Sequence, residues 1–274
     1  MPSNVNLSRS GKAGLLTGLL LFCMQGPAQA ALMWQPAPSK PGKGHSRMAP
    51  KAFLLGEVAD QAVLWKPDLA MVDLHAEQGT YRVHPTGMDN YHALVAERRP
   101  DAHTLEAAIR FVYLRGRPSG SSPSLLTTAV KTPLDIVPAP LPREHRHYQA
   151  NHAAVFVLRF KGRPLANTPL ALTTTNGSHL RLVSDRLGAV RFTLPDDFPK
   201  TRPGRENNRP AEFVLQGEIE RDGRRYRTNL SGQYFVDPAH WQFFELGVMV
   251  LGAGFITGLV VNQRKSHNKA GRTG

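Results

Sequence analysis

The chain has almost no cysteine. Cys23 is the single thiol in 274 residues, and it lies in a stretch expected to be removed. Disulfides and thiolate metal sites are then excluded from the mature chain. Acidic residues are also scarce: 21 Asp and Glu face 34 Lys and Arg, for a formal net charge of +13. No basic run is interleaved with aromatics, so the excess charge does not read as a nucleic-acid platform. A solvated basic surface accounts for it, with lipid headgroups, polysaccharide or an envelope protein as the acidic partners it could meet. Catalytic signatures are missing too. There is no G-x-S-x-G elbow, no H-E-x-x-H helix and no phosphate-cradling glycine loop. Asp196-Asp197 and Glu218/Glu220 read as surface charge, and no enzyme is expected.

The two ends carry hydrophobic signals. Arg9 and Lys12 precede an apolar run, Ala13 to Met24, too short to span a bilayer, and Ala28 and Ala30 supply the small residues a signal peptidase needs. Residues 1–30 are therefore expected to be a signal peptide cleaved after Ala30; an uncleaved signal anchor is the alternative. Bulky Phe22 before Cys23 argues against lipidation. Residues 241–261, WQFFELGVMVLGAGFITGLVV, are long and apolar enough for a transmembrane helix. Arg264, Lys265, Lys269 and Arg272 follow, which marks 262–274 as a cytoplasmic tail. The expectation is a single-pass protein of the inner (cytoplasmic) membrane with its bulk in the periplasm. Gly254 and Gly258 form a small-xxx-small motif suited to a homodimer or to docking on a transporter subunit. Glu245, near the headgroups, could pair with a partner's cation.

Between these ends the pattern is all-β. Residues 31–51, rich in Pro, Gly and Lys, read as a flexible lead-in. Short apolar runs between turn residues fill 52–130, an N-terminal β domain. Ala102 to Val112 also fits a turn of helix. Met71 to His75 and Thr80 to His84 both alternate, and a turn at Ala76 to Gly79 would place Asp73 opposite Arg82 and Met71 opposite His84. On that register Val72, Leu74, Tyr81 and Val83 face the core. Residues 131–152, rich in Pro and His, read as a linker. Strands at roughly 8–12 residue spacing fill 153–237, a C-terminal β-sandwich. The expected fold is two β-sandwich (Ig- or transthyretin-like) domains plus one C-terminal transmembrane helix.

Three stretches carry a resemblance: KTPLDIVPAPLP (131–142), FVLRFKGRPLANTPLALTTTNG (156–177) and SDRLGAVRFTLPDD (184–197). In this order they resemble the periplasmic component family associated with nickel and cobalt uptake, a family with a carboxypeptidase-regulatory-like β-sandwich. The resemblance spans Lys131 to Val236 and extends weakly over Ala52 to Gly116. It implies a non-catalytic role in transition-metal binding or uptake, with metal taken by histidines that include one near the mature N-terminus. The first histidine after the expected start is His45.

Eleven histidines make imidazole the natural metal donor. One candidate set is Met71, His75, His84, Met88 and His92, whose thioethers would suit copper and whose imidazoles would suit nickel, cobalt or zinc. A solvent-facing strand surface is the plainer reading. A second set is His145, His147 and His152, disfavoured by the intervening Arg146. The functional expectation is a membrane-anchored accessory for transition-metal handling. The alternative is an envelope interaction or structural module, a sandwich docking a membrane or anionic partner.

Overall fold

Period-two alternation of apolar and polar residues produces strands almost throughout. The computed structural model describes residues 31–38, 49–143 and 147–241. The expected signal peptide, His145, Glu245, Gly254, Gly258 and the basic tail lie outside the described residues, as does the expected membrane span beyond Trp241. Among the described residues no helix is long and apolar enough to cross a membrane.

In chain order the strands are β1 (Trp34–Pro36), β2 (Lys51–Leu55), β3 (Gln61–Trp65), β4 (Met71–Asp73), β5 (Ala76–Glu77), β6 (Thr80–Val83), β7 (Met88–Asp101), β8 (Thr104–Leu114) and β9 (Arg117–Pro118). A short helix, α1 (Pro123–Thr128), follows. Then come β10 (Leu134–Pro138), β11 (Tyr148–Gln149), β12 (Ala153–Phe160), β13 (Arg163–Pro164), β14 (Pro169–Thr174), β15 (His179–Val183), β16 (Ala189–Thr193), β17 (Ala211–Arg221) and β18 (Arg224–Phe235). The mostly β, sandwich-type architecture agrees with the sequence reading.

The long central sheet runs β15-β14-β17-β18-β8-β7-β3-β4. It crosses the boundary between the two expected domains through one parallel pair, β8 with β18, from Thr104↔Arg225 to Arg110↔Ser231. Each face of this sheet carries a layer. On one face, Ala108, Val112 and Leu114 of β8 pack with Trp34, Phe53 and Val83 from the small sheet β1-β2-β6-β5. On the other, Ile109 of β8 joins Leu170, Phe213 and Leu230 against Ile136, Phe156 and Leu158 of β10 and β12. Leu126 of α1 seats on that same face, against Val63, Ala93 and Val95. A strand covered on both sides loses its polar alternation and reads as a continuous apolar run. That is why the segment from Ala102 to Val112 also fits a helix by pattern, yet forms β8 from Thr104 on.

Three local expectations change. The lead-in is not free at its start: β1 pairs with β2, and Leu32 and Trp34 are fully buried. The linker contains β10, every residue of which is buried, paired to β12. Asp135 on β10 is held there by a two-pronged pair with Arg159 (Nε–Oδ1 3.0 Å, Nη2–Oδ2 2.7 Å). The hairpin after Met71 also has another register. Gln78 and Gly79 both adopt positive φ (50° and 75°), a two-residue turn whose twist matches its strands. Ala76 then faces Tyr81 and Glu77 faces Thr80. Arg82 pairs with Glu77 at 3.3 Å rather than with Asp73. β4 instead pairs with β3 at the edge of the central sheet, with Asp73 opposite Val63 and Val72 exposed.

Candidate functional site

The strand pairing places the residues of the first metal set. Met71 sits on edge strand β4 and His75 follows it, both exposed; His84 follows β6 in the small sheet, also exposed. Met88 begins β7, half-buried. His92, on β7, is fully buried. Its Nδ1 hydrogen donates to the Asn90 carbonyl (3.1 Å), so its Nε2 accepts from the Thr86 hydroxyl (2.7 Å). Burial keeps this imidazole neutral, with its pKa lowered despite the Asn90 hydrogen bond. Both ring nitrogens serve the interior. Of the second set, His147 stands beside Phe235 with ring centroids 4.8 Å apart, and His152 Nδ1 lies 2.9 Å from the Ala150 carbonyl. Among the described residues no three His, Cys, Asp or Glu side chains come together as a metal site.

The site the structure builds lies elsewhere, where two long strands part. β8 and β18 pair as far as Arg110 and Ser231, yet both continue, to Leu114 and Phe235. Beyond the vertex β8 stays with β7, while β18 takes β11 on the side β8 has left (Tyr148↔Tyr234, Gln149↔Phe235). Between them opens a cleft of about 720 Å³, a size that suits a drug-sized ligand. Pro36 to Pro38 and Ala49 to Phe53 wall one side; Pro138, Leu141 and Tyr148 wall the other.

Aromatic rings floor the cleft. Phe213 lies so close over Gly232 that a Cβ there would sit 2.6 Å from its ring. This contact needs glycine beside the vertex and lets the ring approach β18 closely. Tyr148 meets Phe213 edge-on at 5.4 Å and Phe156 at 5.7 Å. Tyr91 and Tyr113 form a further T-shaped pair at 5.2 Å. Burial pushes the Tyr91 phenol up to about 12 and raises that of Tyr148 as well, with Tyr91 adding to the effect. The Tyr148 hydroxyl is buried and has no hydrogen-bond partner among the described residues. A buried hydroxyl left so costs about 1–3 kcal/mol, which makes it an informative group in a cleft wall.

Cations ring this apolar floor. Arg110 stands at the vertex, nearly buried, forked onto the Glu212 carboxylate and within 3.4 Å of Ser231 Oγ. Its guanidinium also lies 5.6 Å over the Phe53 ring. Lys51 Nζ donates to the Tyr113 carbonyl at 2.8 Å. Although its stem reaches solvent, crowding by protein atoms lowers the ammonium's pKa, and Arg110 and Arg115 lower it further. Arg205, outside the lining of the cleft, covers the Phe235 ring at 5.1 Å. The cleft therefore brings aromatic faces and the side chains of Lys51 and Arg110 to one occupant, with the buried Tyr148 hydroxyl in its wall. Sequence reasoning missed it, because its residues come from β1, β2, β8, β11 and β18, with no local motif joining them.

Lys131 is a second perturbed cation. Burial depresses its pKa to about 8, against the pull of Asp135. It donates to the Leu126 and Ala129 carbonyls at the end of α1 and lies 5.3 Å from the Phe111 ring. Those contacts give it a structural task under the helix.

No protein-family model and no curated protein matches the chain. Two solved structures show a distant likeness. One is a tetra-tandem repeat from the extending region of a large adhesion protein, with TM-score 0.24 and 10% identity over 74% of this chain and 49% of that one. The other, from work on host cell surface retention of a 1.5-MDa bacterial ice-binding adhesin, has TM-score 0.25 and 12% identity over 70% of this chain and 59% of that one. The chain thus spans less than two thirds of each.

Proposed function

We propose that this protein is a non-catalytic binding module of the cell envelope, tethered by its C-terminal apolar segment, that docks an anionic partner with an apolar body in the cleft between β8 and β18. The observation that carries the reading is the pairing of aromatic walls with Lys51, Arg110 and an unpartnered Tyr148 hydroxyl in one cleft. Such a combination of apolar lining and few convergent polar groups is the usual character of a ligand site. The excess of positive charge over the whole chain favours an anion on approach.

Titration with anilinonaphthalene sulfonate, an aromatic anion, tests it against a cationic dye of similar size. One saturable site for the anion, weakened several-fold by Lys51→Met, supports the reading. Equal affinity for both dyes, or no saturable site, removes it. The metal-handling role implied by the family resemblance is a separate proposal. It draws support from Met71, His75 and His84, which are all exposed, and no longer from His92. Titration with nickel, cobalt, copper and zinc tests it: no binding at micromolar metal would end it.

A further inference from the structure

Ala31 to Trp34 enter the body of the protein at an acidic site. The Leu32 side chain is fully buried, its N–H donates to Glu106 Oε1 (2.9 Å), and its carbonyl accepts from Asn229 Nδ2 (2.7 Å). The same Asn229 amide reaches Glu106 Oε1 at 3.2 Å. Glu106 is itself only 2% exposed. Its other oxygen takes Arg98 Nε at 2.7 Å, and Arg98 Nη1 lies 3.0 Å from Glu57. One guanidinium is thus shared by two carboxylates, and the local charge is uneven. Ala31 is the residue before the Leu32 contact with Glu106. Its carbonyl packs on Gly56, where a Cβ would come within 2.6 Å, next to Glu57 in the chain. Its nitrogen precedes the Leu32 N–H by one residue, about 3.4 Å of extended chain.

We propose that the working form of the protein begins at Ala31, and that hydrolysis of the Ala30–Ala31 peptide bond supplies an α-ammonium to the site framed by Glu57 and Glu106. Water adds across the amide; Ala30 leaves with the new carboxylate, and the Ala31 nitrogen takes up a proton. The enzyme required is an endopeptidase selecting small residues at the first and third positions before the bond, here Ala30 and Ala28. Leader removal then does more than release the chain. It creates the cation that balances the second carboxylate, so the processed chain is better matched to its own interior than the unprocessed one. The inference rests on the leader reading and is independent of what the cleft binds.

The test starts from the full chain expressed in a host with a leader peptidase. Intact mass is expected to place the first residue at Ala31; a different start overturns the proposal. The N-terminal amine is then titrated by NMR after labelling at alanine. A pKa about one unit above the ordinary α-amino range of roughly 7.7–8.0 is expected, with acylation by an amine-selective ester at least ten-fold slower than in the urea-unfolded chain. Glu57→Gln, at a partly exposed carboxylate, is expected to return the pKa toward the ordinary range. An ordinary pKa in the unsubstituted protein, or one indifferent to Glu57→Gln, overturns the charge site.

Discussion

Replacing Trp34 by alanine separates two views of the N-terminal segment. A flexible lead-in would lose nothing, since exposed substitutions stay within about ±0.5 kcal/mol. In the structure Trp34 is fully buried, stands edge-on to Tyr81 (5.0 Å) and Phe53 (6.5 Å), and donates its indole N–H to the Ala108 carbonyl at 3.2 Å. Deleting a buried tryptophan typically costs about 3–5 kcal/mol through lost transfer energy and the cavity left behind. The two ring pairs and the indole hydrogen bond place this site at the upper end, about 4–5 kcal/mol. With domain stabilities of about 5–15 kcal/mol, that is roughly a quarter or more of the total. At a urea slope near 2 kcal/mol/M the midpoint should fall by about 2 M with the slope unchanged. Circular dichroism is the suitable probe, because the substitution removes a fluorophore. A midpoint shift below about 0.3 M would refute the placement of β1 in the core.

Other outcomes follow from single contacts. Arg159→Leu strands the buried Asp135 carboxylate and should cost about 3–5 kcal/mol, while Asp135→Leu with Arg159→Leu should recover most of it; urea melts of both variants decide. Tyr148→Phe removes a hydroxyl with no partner among the described residues, so stability should hold or rise while affinity for the aromatic sulfonate falls; a loss of stability without loss of binding contradicts the cleft assignment. Gly232→Ala drives a methyl into the Phe213 ring and should cost about 1–3 kcal/mol through overpacking, with weaker dye binding. His92 is held neutral, its folded pKa below the unfolded 6.5. The unfolded imidazole therefore binds a proton that the folded one refuses, and stability should fall as pH drops from 6.5 toward the folded value. His92→Gln should flatten that part of the stability–pH curve; an unchanged slope would show that another group sets it.

Local structure was largely legible. Asn176-Gly177 and Arg221-Asp222-Gly223 are turn-forming sequences and stand between paired strands, with Gly177, Asp222 and Gly223 at positive φ, because left-handed backbone at such positions leaves few residue choices. What alternation could not show was which sheet a strand joins. Met71 to Asp73 and Thr80 to Val83 alternate equally well, yet one belongs to the central sheet and the other to the small one. Tertiary burial also overrode composition. Lys, Pro and Gly after Gln35 made the whole of 31–51 look loose, while Leu32 and Trp34 at its front supply core volume. The placement of the histidines was hidden for the same reason. Spacing places His92 on a strand, but which face of β7 is covered depends on partners a hundred residues away.

The bond from Leu32 to Asn229 joins positions 197 residues apart. The opening strand meets β2 early, but this bond can close only when nearly the whole body exists. Segments separated so far collide late, and the entropy of closing such a loop precedes any reward from the contact. A chain emerging N-terminus first therefore cannot complete its central sheet until β18 has been made.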